Sequence, residues 1–388
     1  MPTLRLAPAS TDDYRRLAER RLPRFLFDYL DGGAYDEVTL QRNVSDFHAL
    51  QLKQRVMRDV SQIDTSTELF GRKWSMPVAL APIGLGGMMA RRAELQAKRA
   101  ADAFGAPFCL STVAICSIEE VAKVSDVPFF FQLYMLRDRA VVSEILQRAK
   151  AAGVRTLIFT VDLAVVGTRY RDVRNGMTGG AGAWGKLRSG IISYMLHPQW
   201  TYDVGVNGKP HTFGNLEAYV PKATTPADFK AWIDGQIDPA VTWKDIEWIR
   251  RIWDGDLVIK GVLSADDARA AADAGADAVV VSNHGGRQLD GVASSIAALP
   301  RIADEVGDKV TTLMDGGVRS GLDVVRARAL GARAVLIGRP WIYAVAARGE
   351  AGLTALLATM KSGMDVAMAL TASTRIDDVT SAILDHEG

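Results

Sequence analysis

Short apolar runs bounded by glycine, proline or polar residues recur along the chain, and eight of them read as buried strands: Pro77–Pro82, Pro107–Thr112, Pro128–Tyr134, Thr156–Asp162, Leu257–Gly261, Ala278–Ser282, Val310–Gly316 and Ala334–Gly338. Each is too short for a core helix and is interrupted abruptly by polar residues. Alanine-rich stretches with helical character separate most of them, among them Glu94–Phe104, Arg139–Ala152, Ala265–Ala274 and Gly321–Ala329. Several of these lead into a glycine (Gly105, Gly153, Gly275, Gly331), the residue expected just past a helix end because it tolerates the left-handed conformation there. Strand, helix, glycine, strand is the order of a parallel sheet, and eight repeats predict an α/β fold closed into a (β/α)8 TIM barrel.

Two regions fall outside the repeat. Residues 1–70 carry helical stretches (Asp12–Arg21, then Pro23–Leu30 stopped by Gly32 and Gly33) and read as an N-terminal cap. Residues 163–256 form a long insertion after the fourth strand, where a barrel enzyme would carry a lid over its active face. The expected organisation is one domain over 1–388, with the barrel at 71–375 including that insertion, and a tail at 376–388.

Composition narrows the class. A 48% hydrophobic content supports a large core, and 46 basic against 45 acidic residues give a net charge of +1, which offers no electrostatic case for nucleic acid. The start, Met1–Arg5, lacks the apolar centre of a signal peptide, and no stretch approaches the ~20 apolar residues of a spanning helix. Cys109, in an apolar run, is expected to pack as a small hydrophobe, and Cys116 to be exposed near a strand end. A reducing, cytoplasmic setting is the expectation.

Barrel chemistry gathers at the carboxyl ends of the strands. In order these ends carry Pro82, Ile83 and Gly84; Ser111 and Thr112; Gln132 and Tyr134; Thr160 and Asp162; Lys260; Ser282, Asn283, His284 and Arg287; Asp315, Gly316 and Gly317; and Gly338 with Arg339. The sixth is the densest: a titratable base, two glycines and a permanent cation follow directly on Ala278–Ser282. After the seventh and eighth strands, where barrels commonly bind phosphate, Gly316, Gly317 and Gly338 can expose backbone N–H groups while Arg319 and Arg339 supply charge-assisted bonds.

With these residues assembled, the chain resembles the FMN-dependent α-hydroxy acid oxidoreductases, which include glycolate and lactate oxidases and mandelate and lactate dehydrogenases. Ser282-Asn283-His284-Gly285-Gly286-Arg287-Gln288-Leu289-Asp290 matches their signature stretch, and the resemblance runs from about Leu22 to Arg375. Phe25–Tyr35, His197–Trp200 and Asp203–Gly205 are similar to the respiratory lactate-oxidising branch. The resemblance implies His284 as the active-site base, with Asp315 as its carboxylate partner. It implies Tyr29, Tyr134, Arg169 and Arg287 as the groups that hold the substrate carboxylate and hydroxyl. It also implies Pro82, Ile83, Gly84, Ser111, Gln132, Thr160, Lys260, Ser282, Asp315, Gly316, Gly317, Arg319, Gly338 and Arg339 around FMN.

The chemistry requires such a set. A 2-hydroxy acid presents a carboxylate, a hydroxyl and one Cα–H; arginines hold the first, tyrosines select the second, and a histidine accepts a proton. Removal of the hydroxyl proton and removal of the Cα proton need the same residues. The reaction implied is oxidation of an L-2-hydroxy acid, L-lactate to pyruvate, with the electrons leaving to quinone or another acceptor of the respiratory chain. Alternatives within the family are an oxidase that makes hydrogen peroxide and a dehydrogenase for mandelate; from a different class, a flavin- or phosphate-binding barrel without this activity. Gly84 stands where family oxidases often have alanine, which favours the dehydrogenase.

No haem-attachment motif occurs. The stretch Gly176–Trp200 sets Trp184, Ile191, Ile192, Tyr194, Met195, Leu196 and Trp200 beside Lys186 and Arg188, which suits either a lid or peripheral contact with the cytoplasmic face of the inner membrane. The resemblance further implies a homo-oligomer, a tetramer. The wall around the substrate methyl is expected from Leu85, Met135, Val165 and the insertion.

Overall fold

The computed structural model describes residues 7–175, 192–220, 232 and 235–385. Three helices come first: α1 (Thr11–Arg21), α2 (Arg24–Asp31) and α3 (Val38–Ala49). A hairpin of β1 (Thr67–Leu69) and β2 (Arg72–Trp74) follows, and then the barrel strands β3 (Val78–Leu80), β4 (Cys109–Ser111), β5 (Phe130–Leu133), β6 (Thr156–Thr160), β7 (Asp256–Val262), β8 (Ala278–Val281), β9 (Thr311–Asp315) and β10 (Ala334–Ile337). All eight expected strands are present. The barrel helices are α4 (Ala93–Phe104), α5 (Ile118–Ala122), α6 (Arg139–Ala151), then α7 (Tyr170–Arg174) and α8 (Trp243–Ile252) around the insertion, and α9 (Ala265–Asp273), α10 (Ser295–Val306), α11 (Gly321–Ala329) and α12 (Arg339–Leu370).

The strands pair in parallel in the order β3-β10-β9-β8-β7-β6-β5-β4. A parallel bridge between Leu80 and Phe108 brings the two edge strands together and closes the barrel. Gly105, Gly153, Gly275 and Gly331 all have positive φ, as helix-ending glycines should.

Alternation along the strands divides the core. Ala79, Cys109, Phe130, Ile158, Val258, Ala278, Val280, Leu313, Ala334 and Leu336 pack together inside the barrel, whereas Val78, Leu80, Leu110, Phe131, Leu157, Phe159, Leu257, Ile259, Val279, Val281, Met314 and Val335 face the helices. Period two places Ser111, Gln132, Thr160, Lys260, Ser282 and Asp315 on the same inward side as the first group, one step nearer the carboxyl end. The barrel is therefore apolar below and polar above, and the functional surface begins where the inner series changes character.

The hairpin crosses the expected boundary at residue 70 and closes the lower end of the barrel. Leu69 and Trp74 join the interior cluster, with the Phe70 and Phe130 rings edge to face at 5.8 Å. The expected tail is also packed: Leu52 bridges Leu384, and Ile376 is fully buried. Cys116 departs from expectation. It is buried and its thiol bonds Glu94 Oε2 at 3.2 Å, because the turn after β4 folds inward under α4.

Helix α12 is long and apolar enough to cross a membrane, although no sequence run suggested it. It lies against α1, α4 and α11, breaks at Arg348 and Gly349 (φ +65°), and packs Leu353, Leu356, Leu357, Met360 and Met364 into the core while Val366 and Leu370 stay exposed. Of the Gly176–Trp200 stretch, Trp184, Lys186, Arg188 and Ile191 lie outside the described residues.

Candidate active site

A cleft at the carboxyl end of the barrel is lined by Tyr29, Pro82, Ile83, Gly84, Tyr134, Arg169, Lys260, His284, Arg287, Asp315, Gly316, Gly317, Arg319, Gly338 and Arg339, among others. Those fifteen expected residues thus converge. Four others do not reach its wall: Ser111, Gln132, Thr160 and Ser282 lie at the barrel ends beneath or beside it, all buried.

The loop after β8 is built to present His284. His284, Gly285 and Gly286 take three consecutive positive φ values of +56°, +66° and +72°. A left-handed histidine costs on the order of 1 kcal/mol and persists only where the surroundings hold it. Here the surroundings do. Ser282 Oγ accepts the His284 N–H at 3.0 Å, and the amides of Asn283 and Asn43 exchange two hydrogen bonds of 2.8 and 2.9 Å across to α3.

His284 Nδ1 lies 2.8 Å from Asp162 Oδ1. A carboxylate at that distance fixes the proton on Nδ1 and leaves the Nε2 lone pair as the basic site. This corrects the expected pairing: Asp315 is not the histidine's partner but the counter-ion of Lys260, with Nζ–Oδ2 at 3.1 Å. The physical reason lies at Gly261. The register between β7 and β8 shifts between Lys260 and Val262, and Gly261 adopts φ +112°. A Cβ there would sit 2.6 Å from Asp162 Cβ and Cγ, so the missing side chain opens the path by which Asp162 reaches over β7 to His284.

Charge in the cleft is strongly biased. Burial pushes the His284 pKa down, with the Lys260 and Arg169 charges adding to it and Asp162 opposing, so the ring is neutral at pH 7. Burial also opposes the Lys260 charge, but the Asp315 and Asp162 carboxylates outweigh it and hold the ammonium protonated. Tyr134 keeps its proton, raised by burial and then by Asp162. Arg169 is pushed down to about 10 by burial and by the neighbouring Arg287 charge. The two guanidinium carbons lie 6.0 and 4.9 Å from the centre of the Tyr29 ring. Two cations pressed together in this way favour an anion between them.

The cap is tied to this floor through its own backbone. Arg287 Nη1 donates to the Tyr29 and Gly32 carbonyls, and Arg339 donates to those of Leu30, Gly32 and Gly285. Both exploit carbonyls left without helical partners where α2 ends. Leu163, Val166, Phe213, Ile237, Leu85 and Val113 supply the apolar wall. Val165, expected there, is 70% exposed, and Met135 faces an adjoining cavity that shares Tyr134, Leu163 and Ile237 with the cleft. Phe213 and Ile237 come from the insertion, which carries no periodic signal to single them out in the sequence.

Polar atoms at this end of the barrel remain unpaired. Gln132 Nε2, Thr160 Oγ1 and Asp315 Oδ1 are buried without a hydrogen-bond partner, and Ser111 Oγ is engaged by Gln132 Oε1 at 3.0 Å. A buried polar group left unsatisfied costs about 1–3 kcal/mol, so such a cluster indicates a ligand with matching groups. Amide and hydroxyl donors, an ammonium, a free carboxylate oxygen and two arginines at the far end suit a flat heterocycle with carbonyls, a polyol chain and a phosphate, which is the chemistry of FMN.

Fold and site together define an FMN-binding barrel oxidoreductase. Residues 18–386 match the model of the FMN-dependent dehydrogenase family, and the chain belongs to that family. It is 57% identical over 376 residues to an L-lactate dehydrogenase of Caulobacter vibrioides (strain NA1000 / CB15N), covering 97% of each chain. Among solved structures it is similar to the monotopic membrane protein (S)-mandelate dehydrogenase, with TM-score 0.91, 35% identity and coverage of 98% of this chain and 100% of that one. A mandelate oxidase bound to (S)-4-hydroxymandelic acid follows the same fold, with TM-score 0.83, 34% identity and coverage of 97% and 98%.

Proposed function

We propose that this protein oxidises L-lactate to pyruvate and passes the electrons to a quinone or another respiratory acceptor at a membrane surface. The observation that carries the reading is the pairing of Arg169 and Arg287 at Tyr29 with the Asp162-backed His284, all lining one cleft. The arginines bind the substrate carboxylate, and the tyrosine hydroxyls of Tyr29 and Tyr134 orient its hydroxyl. His284 accepts a proton at Nε2, and Asp162 stabilises the imidazolium that results. When bound, FMN would supply the two-electron redox chemistry that links substrate to acceptor. Gln132, Thr160 and Lys260 would hold its ring, Asp315 its polyol, and Arg319 and Arg339 its phosphate, with Gly316, Gly317 and Gly338 allowing close approach.

Lactate is favoured by the strong similarity to L-lactate dehydrogenases. A larger acid such as mandelate is the second reading, supported by the cavity beyond Tyr134, Leu163 and Ile237, whose lining includes Phe159 and Trp243. Anaerobic reduction of the flavin by L-lactate, glycolate and both mandelate enantiomers separates them. Lactate is expected to bleach the flavin fastest, with reoxidation rapid by a quinone analogue and slow by oxygen. Faster reduction by mandelate, or stoichiometric peroxide in air, would reject the lactate dehydrogenase reading.

A further inference from the structure

We infer that Asp31 is a positioning residue, which through Arg171 fixes the distance between the cap wall and the insertion wall of the substrate site. The inference rests on the assignment of Tyr29 and Arg169 to the substrate. Asp31 closes α2 and is buried, and its carboxylate collects four donors from three separate elements. Arg15 of α1 donates through Nε (2.6 Å) and Nη2 (2.8 Å), Tyr343 of α12 through its hydroxyl (2.6 Å), and Arg171 of α7 through Nη1 (2.9 Å). The second amino group of Arg171 bonds Glu37, whose other oxygen accepts the Gly33 N–H at 2.9 Å. One arginine of the insertion is thus gripped by two carboxylates that flank the end of α2.

Geometry makes this grip matter for the cleft. Tyr29 precedes Asp31 by two residues on a helix, so the two point to roughly opposite sides, one into the cleft and one away from it. Arg169 precedes Arg171 by two residues at the start of α7, and Arg169 lines the cleft while Arg171 meets Asp31. The Asp31–Arg171 bond therefore joins the backs of the two segments whose fronts hold the substrate. It also opposes a force that would part them: Arg287 is bound to the cap carbonyls, and its charge repels Arg169 on the insertion side. A half-buried pair with converging donors is screened less than an exposed one and can resist that repulsion.

The test uses the FMN-loaded protein, with L-lactate turnover for KM and kcat and oxalate titrated against the flavin spectrum for Kd. Asp31→Asn and Arg171→Met are each expected to raise both KM and the oxalate Kd about tenfold, with kcat within about threefold and FMN content unchanged. Because they cut the same link, the double variant should add less than about twofold to either single one. Arg171→Lys should recover most of the affinity. Arg15→Met removes the α1 donors from Asp31 but leaves its bond to Arg171, and should lower Tm while leaving KM and Kd within about twofold. Should Asp31→Asn fail to fold, Arg171→Met decides alone, since it lies on a half-exposed helix. The inference is overturned if Arg171→Met lowers Tm but leaves KM and Kd unchanged, or if Arg15→Met raises them equally. Tyr29→Phe and Arg169→Met serve as direct controls. If neither alters oxalate binding, the substrate assignment itself falls and this inference with it; if both do and Arg171→Met does not, only the inference falls.

Discussion

At the residue scale the reaction depends on which carboxylate faces His284. Since Asp162 raises the His284 pKa against burial, Asp162→Asn should lower it further. In the unaltered enzyme kcat/KM requires the neutral ring, so it should fall tenfold per pH unit below a pKa that itself lies under 6.5. Asp162→Asn should shift that acid limb to lower pH and slow flavin reduction at least about 10²-fold, as loss of the ring's orientation does in other histidine–aspartate pairs. An acid limb that stays in place, measured by stopped flow across pH 4.5 to 8 (roughly the range a histidine spans), would return the role to another group. His284→Ala should keep FMN and lose at least about 10²-fold in the same rate. Gly84 gives a second, steric prediction. A Cβ there would lie 2.7 Å from Val113 Cγ2 on the cleft wall, so Gly84→Ala must displace Val113. Anaerobic reduction should slow by about tenfold, and adding Val113→Ala should restore most of it. A double variant as slow as the single one would show that the clash is not the cause.

At the scale of elements, the sequence reveals most where one period governs. The eight strands and their helix-ending glycines are legible because runs such as Ala278–Val281 are apolar at every position, and polar residues mark their ends. The same order brought fifteen of the expected residues to one cleft. What stays hidden is contact between strand ends. Asp315 ends β9 and Asp162 lies two residues past β6, and only the family resemblance, not period or spacing, points to Asp315 as the partner of His284. The bulge at Gly261 reverses that choice, and a one-residue register shift leaves no hydrophobic signature. The hairpin was missed for a related reason: each of its strands is three residues long and sheds its meaning outside the barrel floor it seals. Its packing carries a stability prediction. Trp74 is fully buried among Leu69, Phe70 and Phe130, so Trp74→Ala should cost about 3–5 kcal/mol by denaturant unfolding of the holoprotein. Since the hairpin lies at the end opposite the cleft, KM for lactate should change less than about twofold.

At the scale of the whole molecule, one segment gathers six large exposed apolar side chains among the described residues. Between residues 192 and 206 the chain exposes Ile192, Tyr194, Met195, Leu196, Tyr202 and Val206, with Met195 74% exposed and Leu196 71%. The segment is nevertheless held firmly from below. Trp200 and Val204 are buried, the Trp200 indole donates to the Met88 carbonyl at 2.9 Å, and the Tyr194 ring stacks on Trp200 at 5.8 Å. Arg21 of the cap bonds Asp203 at 3.1 Å, so the segment is fixed to α1 as well as to the loop after β3. An anchored segment that keeps large apolar side chains exposed suits an interaction surface, and we propose that it meets a lipid surface from which an acceptor would reach the protein. We expect the purified holoprotein to sediment with vesicles of anionic phospholipid, and the paired change Met195→Glu with Leu196→Glu to weaken that binding at least about tenfold by removing apolar burial and adding repulsion. Anaerobic reduction by L-lactate should be unaffected, while turnover with a long-tailed quinone carried in the vesicles should fall in step with binding. Unchanged sedimentation of the variant would remove this surface from any membrane role, and unchanged quinone turnover despite lost binding would mean that the acceptor reaches the cleft from water.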